Sequence, residues 1–117
     1  MRYVYNVDMA DLLGTFEQSV LLSILTLGED AYGRAILNGV QGALRRSVSA
    51  GAVYSTLGRL EASGLVKSKL APGTAVRGGR ARRYYSVAAL GRRALSETRQ
   101  ALTAIWGNVR LTAEDGS

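Results

Sequence analysis

Four arginines fall within seven positions, at 77, 80, 82 and 83, around the pair Gly78–Gly79 and directly ahead of Tyr84 and Tyr85. A guanidinium is a permanent cation whose planar fork of N–H donors matches a phosphate, so the chemistry this string offers is anion binding. The two glycines leave the backbone free to take conformations that a β-branched residue would resist. Upstream, Ser49, Ala50 and Gly51 are three small residues in a row. A helix opened by them can bring its first backbone N–H groups close to phosphates and base edges. No catalytic chemistry competes with this reading. The 117-residue chain contains neither His nor Cys, which removes disulfides, thiolate zinc sites, Cys nucleophiles, Ser–His triads and imidazole acid–base work. We expect no enzyme and no cofactor.

The net charge of +6 conceals an uneven distribution. Residues 45–93 hold eleven of the fifteen Lys and Arg against the single acid Glu61, a net +10, whereas residues 1–44 carry −3 and residues 94–117 carry −1. A charge run is usually a solvated face, but this one is too unbalanced to neutralise itself. It predicts one phosphate-facing platform and a nucleic-acid partner. Hydrophobic residues at 47% and charged residues at 21% fit a single globular domain with enough apolar material for a core. The opening MRYVYNVDMADLL lacks the pattern of a secretory signal, and Val20–Leu27 is too short to span a bilayer. The expectation is a cytoplasmic protein with no membrane partner.

The elements that must position these residues follow from the periodicities. Leu13, Phe16, Val20, Ile24 and Leu27 recur at helical spacing, and Gly28 stops that helix. Tyr32, Ile36, Leu37, Val40 and Leu44 mark a second helix, weakened locally by Gly39 and Gly42. Ser47 or Ser49 caps a third, with Val53, Leu57 and Leu60 inward and Gly64 at its end. Two strands, 65–70 and 82–87, flank the loop APGTAVRGGRA. In the second strand Val87 and Tyr85 point inward, leaving Tyr84 exposed. Lys67 and Lys69 read as edge-strand charges. From Ala88 to about Val109 runs a last helix whose apolar positions form two stripes, wider than one neighbour requires, so a second chain is expected against it.

Three helices, a hairpin and a long helix make a mostly α fold with a β-hairpin, the order of a winged helix-turn-helix with a C-terminal dimerisation helix. The expected organisation is a flexible N-terminus over 1–10, the winged helix over 11–87, the dimerisation helix over 88–110 and a disordered tail over 111–117. In such a fold the third helix enters the major groove and the hairpin tip, the wing, reaches backbone or minor groove.

The strings GEDAYGRAIL, SAGAVYSTLGRLEASGLVKS and GGRARRYYSVAALGRRAL together resemble the PadR family of bacterial transcription regulators across about residues 12–106. The most specific parts are RLEASGLV and GGRARRYYSV. Three positions depart from the family pattern. Val53 precedes Tyr54 in place of Leu, Gly58 interrupts the third helix, and Ala88 replaces Thr at the last helix's N-cap. The single final helix is similar to the short branch of the family. The resemblance implies a homodimeric repressor of an operator in double-stranded DNA, with the last helix forming most of the interface, and in many members a small aromatic or hydrophobic effector.

On this reading the DNA-contacting candidates are Tyr32, Ser49, Ala50, Gly51, Tyr54, Arg59, Arg77, Arg80 and Arg82. Tyr32 reads equally as a packing residue, and Arg59 either approaches the duplex or pairs with an acid of its own domain. The dimer candidates are Leu12, Phe16, Leu95, Leu102, Ile105, Trp106 and Val109. Leu102 and Trp106 also stand as a wall for a flat effector, although Trp106 serves as well as a plain interface anchor. Two rival functions use the same fold without operator DNA: a protein-interaction module, against which the +10 segment argues, and an RNA binder. For the latter only Tyr32, Tyr54, Tyr84 and Tyr85 lie near the basic region, few for base stacking.

Overall fold

The computed structural model describes residues 12–72 and 81–112. Its elements are α1 (Thr15–Leu27), a 3-10 turn (Gly28–Asp30), α2 (Gly33–Leu44), α3 (Ala50–Ala62), β1 (Val66–Ala71), β2 (Arg82–Val87) and α4 (Ala89–Trp106). The expected N-terminal segment 1–10 and most of the expected tail, 113–117, lie outside the described residues, as does the wing tip 73–80.

Each boundary has a local cause. The Glu17 carboxylate accepts the Gly14 N–H at 3.0 Å where α1 opens, and Gly28, at φ 60°, closes it in a conformation that L side chains rarely adopt. Ser49 is the N-cap of α3, its hydroxyl accepting from Ala52 N–H at 3.1 Å, so Ser49 rather than Ser47 does this work. At the other end Gly64 takes φ 82°, and the Leu65 N–H returns to the Leu60 carbonyl at 2.9 Å. That is a Schellman closure, which only a residue tolerant of positive φ makes cheaply. Gly58 does not break α3, which runs through it.

The inward stripes meet in one core. Val20, Leu21, Ile24, Ile36, Val40, Val53, Leu57 and Val66 are fully buried, with Leu60 and Val87 nearly so. Side chains of this size contribute roughly 1.5–3 kcal/mol each when removed from water. Gly39, expected only to weaken α2, has a packing role: a Cβ there would lie 3.0 Å from Ser23 Oγ, so the bare position lets α1 and α2 approach closely.

The hairpin is antiparallel, with Val66 opposite Val87 and Ala71 opposite Arg82. Its first strand starts one residue later than the sequence suggests, because Leu65 is spent closing α3 and then accepts the Ala88 N–H on its carbonyl. A third chain segment, which periodicity does not reveal, adds to the free edge of β2. The Tyr85 N–H donates to the Ala31 carbonyl at 2.8 Å, and Tyr32 bridges Tyr84. The expectation that Tyr84 is exposed is corrected by this pairing. Tyr84 is half-buried because Tyr32 packs edge-on against it, ring centroids 5.8 Å apart.

The last helix stops at Trp106, three residues short of Val109, because Gly107 turns the chain at φ 55°. Over its 18 residues only Gly91 and Thr98 are buried. Gly91 sits where a Cβ would collide with the Leu65 carbonyl oxygen, so the helix start lies flush on the base of the hairpin. The Thr98 hydroxyl accepts the Leu13 N–H at 3.0 Å and ties the middle of α4 to the approach to α1.

Candidate nucleic-acid interface

The turn between α2 and α3 decides how α3 is presented. Arg45 ends α2 in the left-handed region at φ 56°. Gln41 then organises the link: its backbone carbonyl accepts from the N–H groups of Arg45 and Arg46, and its side-chain oxygen accepts the Val48 N–H at 3.0 Å. Sequence reading missed Gln41, since a glutamine on a helix face gives no signal of the loop it serves. With the link held, α3 begins at an exposed Ala50 and Gly51, and a side chain at Gly51 would meet open space. Tyr54, one turn on, is 47% exposed with its ring lying over α2.

Beside this helix stands the base of the wing. The Arg82 guanidinium lies over the Tyr32 ring, 4.1 Å from its centroid, in cation–π contact. The phenol of Tyr84, with a smaller contribution from that of Tyr32, raises the Arg82 pKa above the ordinary arginine value. Tyr32, Tyr84 and Arg82 therefore form one surface cluster. Tyr32 is at once the packing residue and the neighbour of the cation. Across the sheet, Tyr85 is partly buried, and desolvation pushes its phenol pKa up.

Several of the central cations have partners within the domain. Arg59 pairs with Glu17 at 3.3 Å and donates to Thr56, which is the intradomain alternative anticipated for it. Arg83 donates to Ser68, itself bonded to Glu61. Lys67, Lys69 and Arg92 line a groove of about 590 Å³ with Ile24, Leu25 and Glu29. Arg77 and Arg80 lie outside the described residues. Among the described residues Arg82, Tyr84 and Tyr32 cluster at the hairpin, on the sheet face that Lys67 and Lys69 share by register, while Ala50, Gly51 and Tyr54 are exposed on α3.

The dimer candidates divide. Phe16 and Leu95 pack partly against the chain's own core. Leu12 is half-buried. Ile105, Trp106 and Val109 are 71%, 50% and 61% exposed, and Leu111 continues the apolar surface. Leu102 lines a groove of about 600 Å³ with residues of α1 and α2, among them Leu22 and Ser23, and Trp106 does not join it there. Among the described residues no cluster of metal-ligating side chains is found, and no described helix is long and apolar enough to cross a membrane.

This arrangement, an exposed helix after a tight turn with a basic hairpin beside it, defines a winged-helix DNA-binding regulator. The transcriptional regulator PadR-like family matches residues 21–97, and the chain belongs to that family. It is similar to a PadR-like transcription factor from Bacteroides fragilis, with 26% identity over 83% of this chain and 86% of that one and a TM-score of 0.64. A PadR-like transcriptional regulator from Bacillus cereus shares 25% identity over 79% and 84% of the two chains, with a TM-score of 0.63. BpsR of Bordetella bronchiseptica, whose DNA binding is regulated by 6-hydroxynicotinic acid, has the same fold at 17% identity, covering 89% of this chain and 72% of its own, with a TM-score of 0.59. A comparison with curated proteins finds no match.

Proposed function

We propose that the chain is a homodimeric repressor of an operator in double-stranded DNA, released by a small aromatic or hydrophobic effector. Two observations support it most directly: the exposed N-terminal turn of α3 with Tyr54, and the Tyr32–Arg82–Tyr84 cluster on the hairpin. Two copies related by a twofold axis would set their α3 helices in successive major grooves about 34 Å apart on a pseudo-palindrome. Arg82, with Arg80 and Arg77 of the wing, would add backbone and minor-groove contacts. The exposed Ile105, Trp106 and Val109 supply the apolar face that a second copy would cover. An effector held against Leu102 and Trp106 would change the separation of the two reading units, to the extent of its differential affinity for the two states. The aromatic acid that regulates BpsR is of this chemical class.

The test is selection of a duplex from a random pool by the purified protein, followed by footprinting and a salt titration. With about four phosphates neutralised per subunit, log affinity falls against log salt with a slope near −7. A slope near zero, a footprint without an inverted repeat, or preferential retention of RNA defeats the proposal.

A further inference from the structure

Gly33 opens α2, and the place its side chain would take is filled by a residue of the next helix. A Cβ on Gly33 would lie 2.5 Å from Tyr54 Cε1, 2.8 Å from the Tyr54 hydroxyl oxygen and 3.1 Å from Cζ. Non-bonded carbons pack at about 3.5–4.0 Å, so these separations are contacts that only a missing atom allows. It is the hydroxyl end of the phenol that rests on the glycine, while nearly half of Tyr54 stays open to solvent.

Conformation does not call for glycine here. The described glycines with positive φ are Gly28, Gly64 and Gly107, not Gly33. Nor is this one of a run of incidental small residues, since a Cβ at Gly42, Gly51 or Gly58 would meet nothing. Helix propensity alone favours alanine over glycine. The space that a side chain at position 33 would take is occupied by the Tyr54 ring, which would have to swing aside to admit one.

We propose that Gly33 is a positioning residue for DNA recognition. It lets the Tyr54 ring lie across the first turn of α2, which fixes both the direction of the phenol hydroxyl and the seating of α3 on α2. An alanine at this position displaces the ring, and with it the tyrosine that α3 presents to the duplex. The inference rests on the reading that Tyr54 belongs to the DNA-facing surface.

Five proteins decide it: wild type, Gly33→Ala, Tyr54→Ala, the double variant of these two, and Arg82→Ala. Each is measured for thermal unfolding and for affinity to a duplex selected from a random pool by the wild-type protein. Gly33→Ala lowers Tm and weakens binding about tenfold while Tyr54 is present. In the Tyr54→Ala background the same substitution raises Tm, as a helix-favouring change should, and alters affinity less than twofold. The change of sign between backgrounds also covers the case in which Gly33→Ala alone folds poorly, because the double variant then recovers. Equal effects of Gly33→Ala in both backgrounds, or no effect beside Tyr54, overturn the proposal. If Tyr54→Ala and Arg82→Ala both leave affinity unchanged, the placement of the DNA surface fails as well. If they weaken it and Gly33→Ala does not, only the positioning role fails.

Discussion

A guanidinium stacked on a tyrosine keeps its whole positive charge, whereas one paired with a carboxylate has already spent it. Arg82 is in the first situation and Arg59 in the second. Arg82→Ala is therefore expected to weaken binding to every duplex alike and to reduce the salt slope by about 1 per subunit, which titration at several ionic strengths reads directly. Arg59→Ala changes the slope less. Tyr85 gives a second residue-scale expectation. Burial raises its pKa above the ordinary tyrosine value of 10.0. The folded state thus holds this proton more tightly than the unfolded chain does, so the contribution to stability is intact below pH 10.0 and is lost as pH rises through the folded value. An ultraviolet titration of tyrosinate should show at least one phenol ionising late, coincident with alkaline unfolding; normal ionisation of all six tyrosines counts against it. Sequence identified the residue types at the interface but not their partners. Nothing in the string around Arg59 names Glu17, which is 42 residues away. Tyr84 was misassigned because strand alternation describes two faces and is silent about an edge partner such as Tyr32.

Helix and strand boundaries were legible wherever glycine or serine chemistry fixes them, as at Gly28, Ser49 and Gly64. They slipped where a neighbouring element intervenes, as at Leu65, or where a glycine went unweighed, as at Gly107. The glycines that mediate close approach illustrate the difference. From sequence, Gly39 is a weak helix former; in three dimensions it admits Ser23. Gly91 makes the sharper prediction, because the atom its Cβ would strike is a backbone carbonyl that cannot swing aside. Gly91→Ala should destabilise by about 1–3 kcal/mol, the usual cost of overpacking, measurable by denaturant unfolding. Ala88 offers the opposite case. It is the N-cap of α4 and makes no side-chain capping bond. Ala88→Ser should stabilise by about 1 kcal/mol, and an unchanged midpoint would show that the first turn of α4 is satisfied by other means.

Taken whole, the chain covers its core with α1, α2, α3 and the hairpin, and leaves much of α4 bare. The sequence foretold this through a stripe wider than one neighbour needs. Density along a chain is not density in space: a hairpin sends alternate side chains to opposite faces, so Arg82 and Arg83 leave β2 on different sides. Ile105→Asp sets a charge on the bare surface, at a position 71% exposed in the single chain. Sedimentation equilibrium should then report a monomer, with affinity for the selected duplex down at least tenfold while the melting of the domain is little altered. A variant that still sediments as the wild type does would place the association surface elsewhere.

The bond from Leu13 N–H to Thr98 Oγ1 carries a mechanical consequence. Spinning α4 about its own axis would break it and strand a donor at a site where Thr98 is only 3% exposed. In the proposed dimer this bond would couple the middle of each α4 to the approach to its own α1, so that rod and first helix resist turning separately. Were two copies to meet along these rods, slippage along that seam would alter the distance between the two reading heads without breaking the bond.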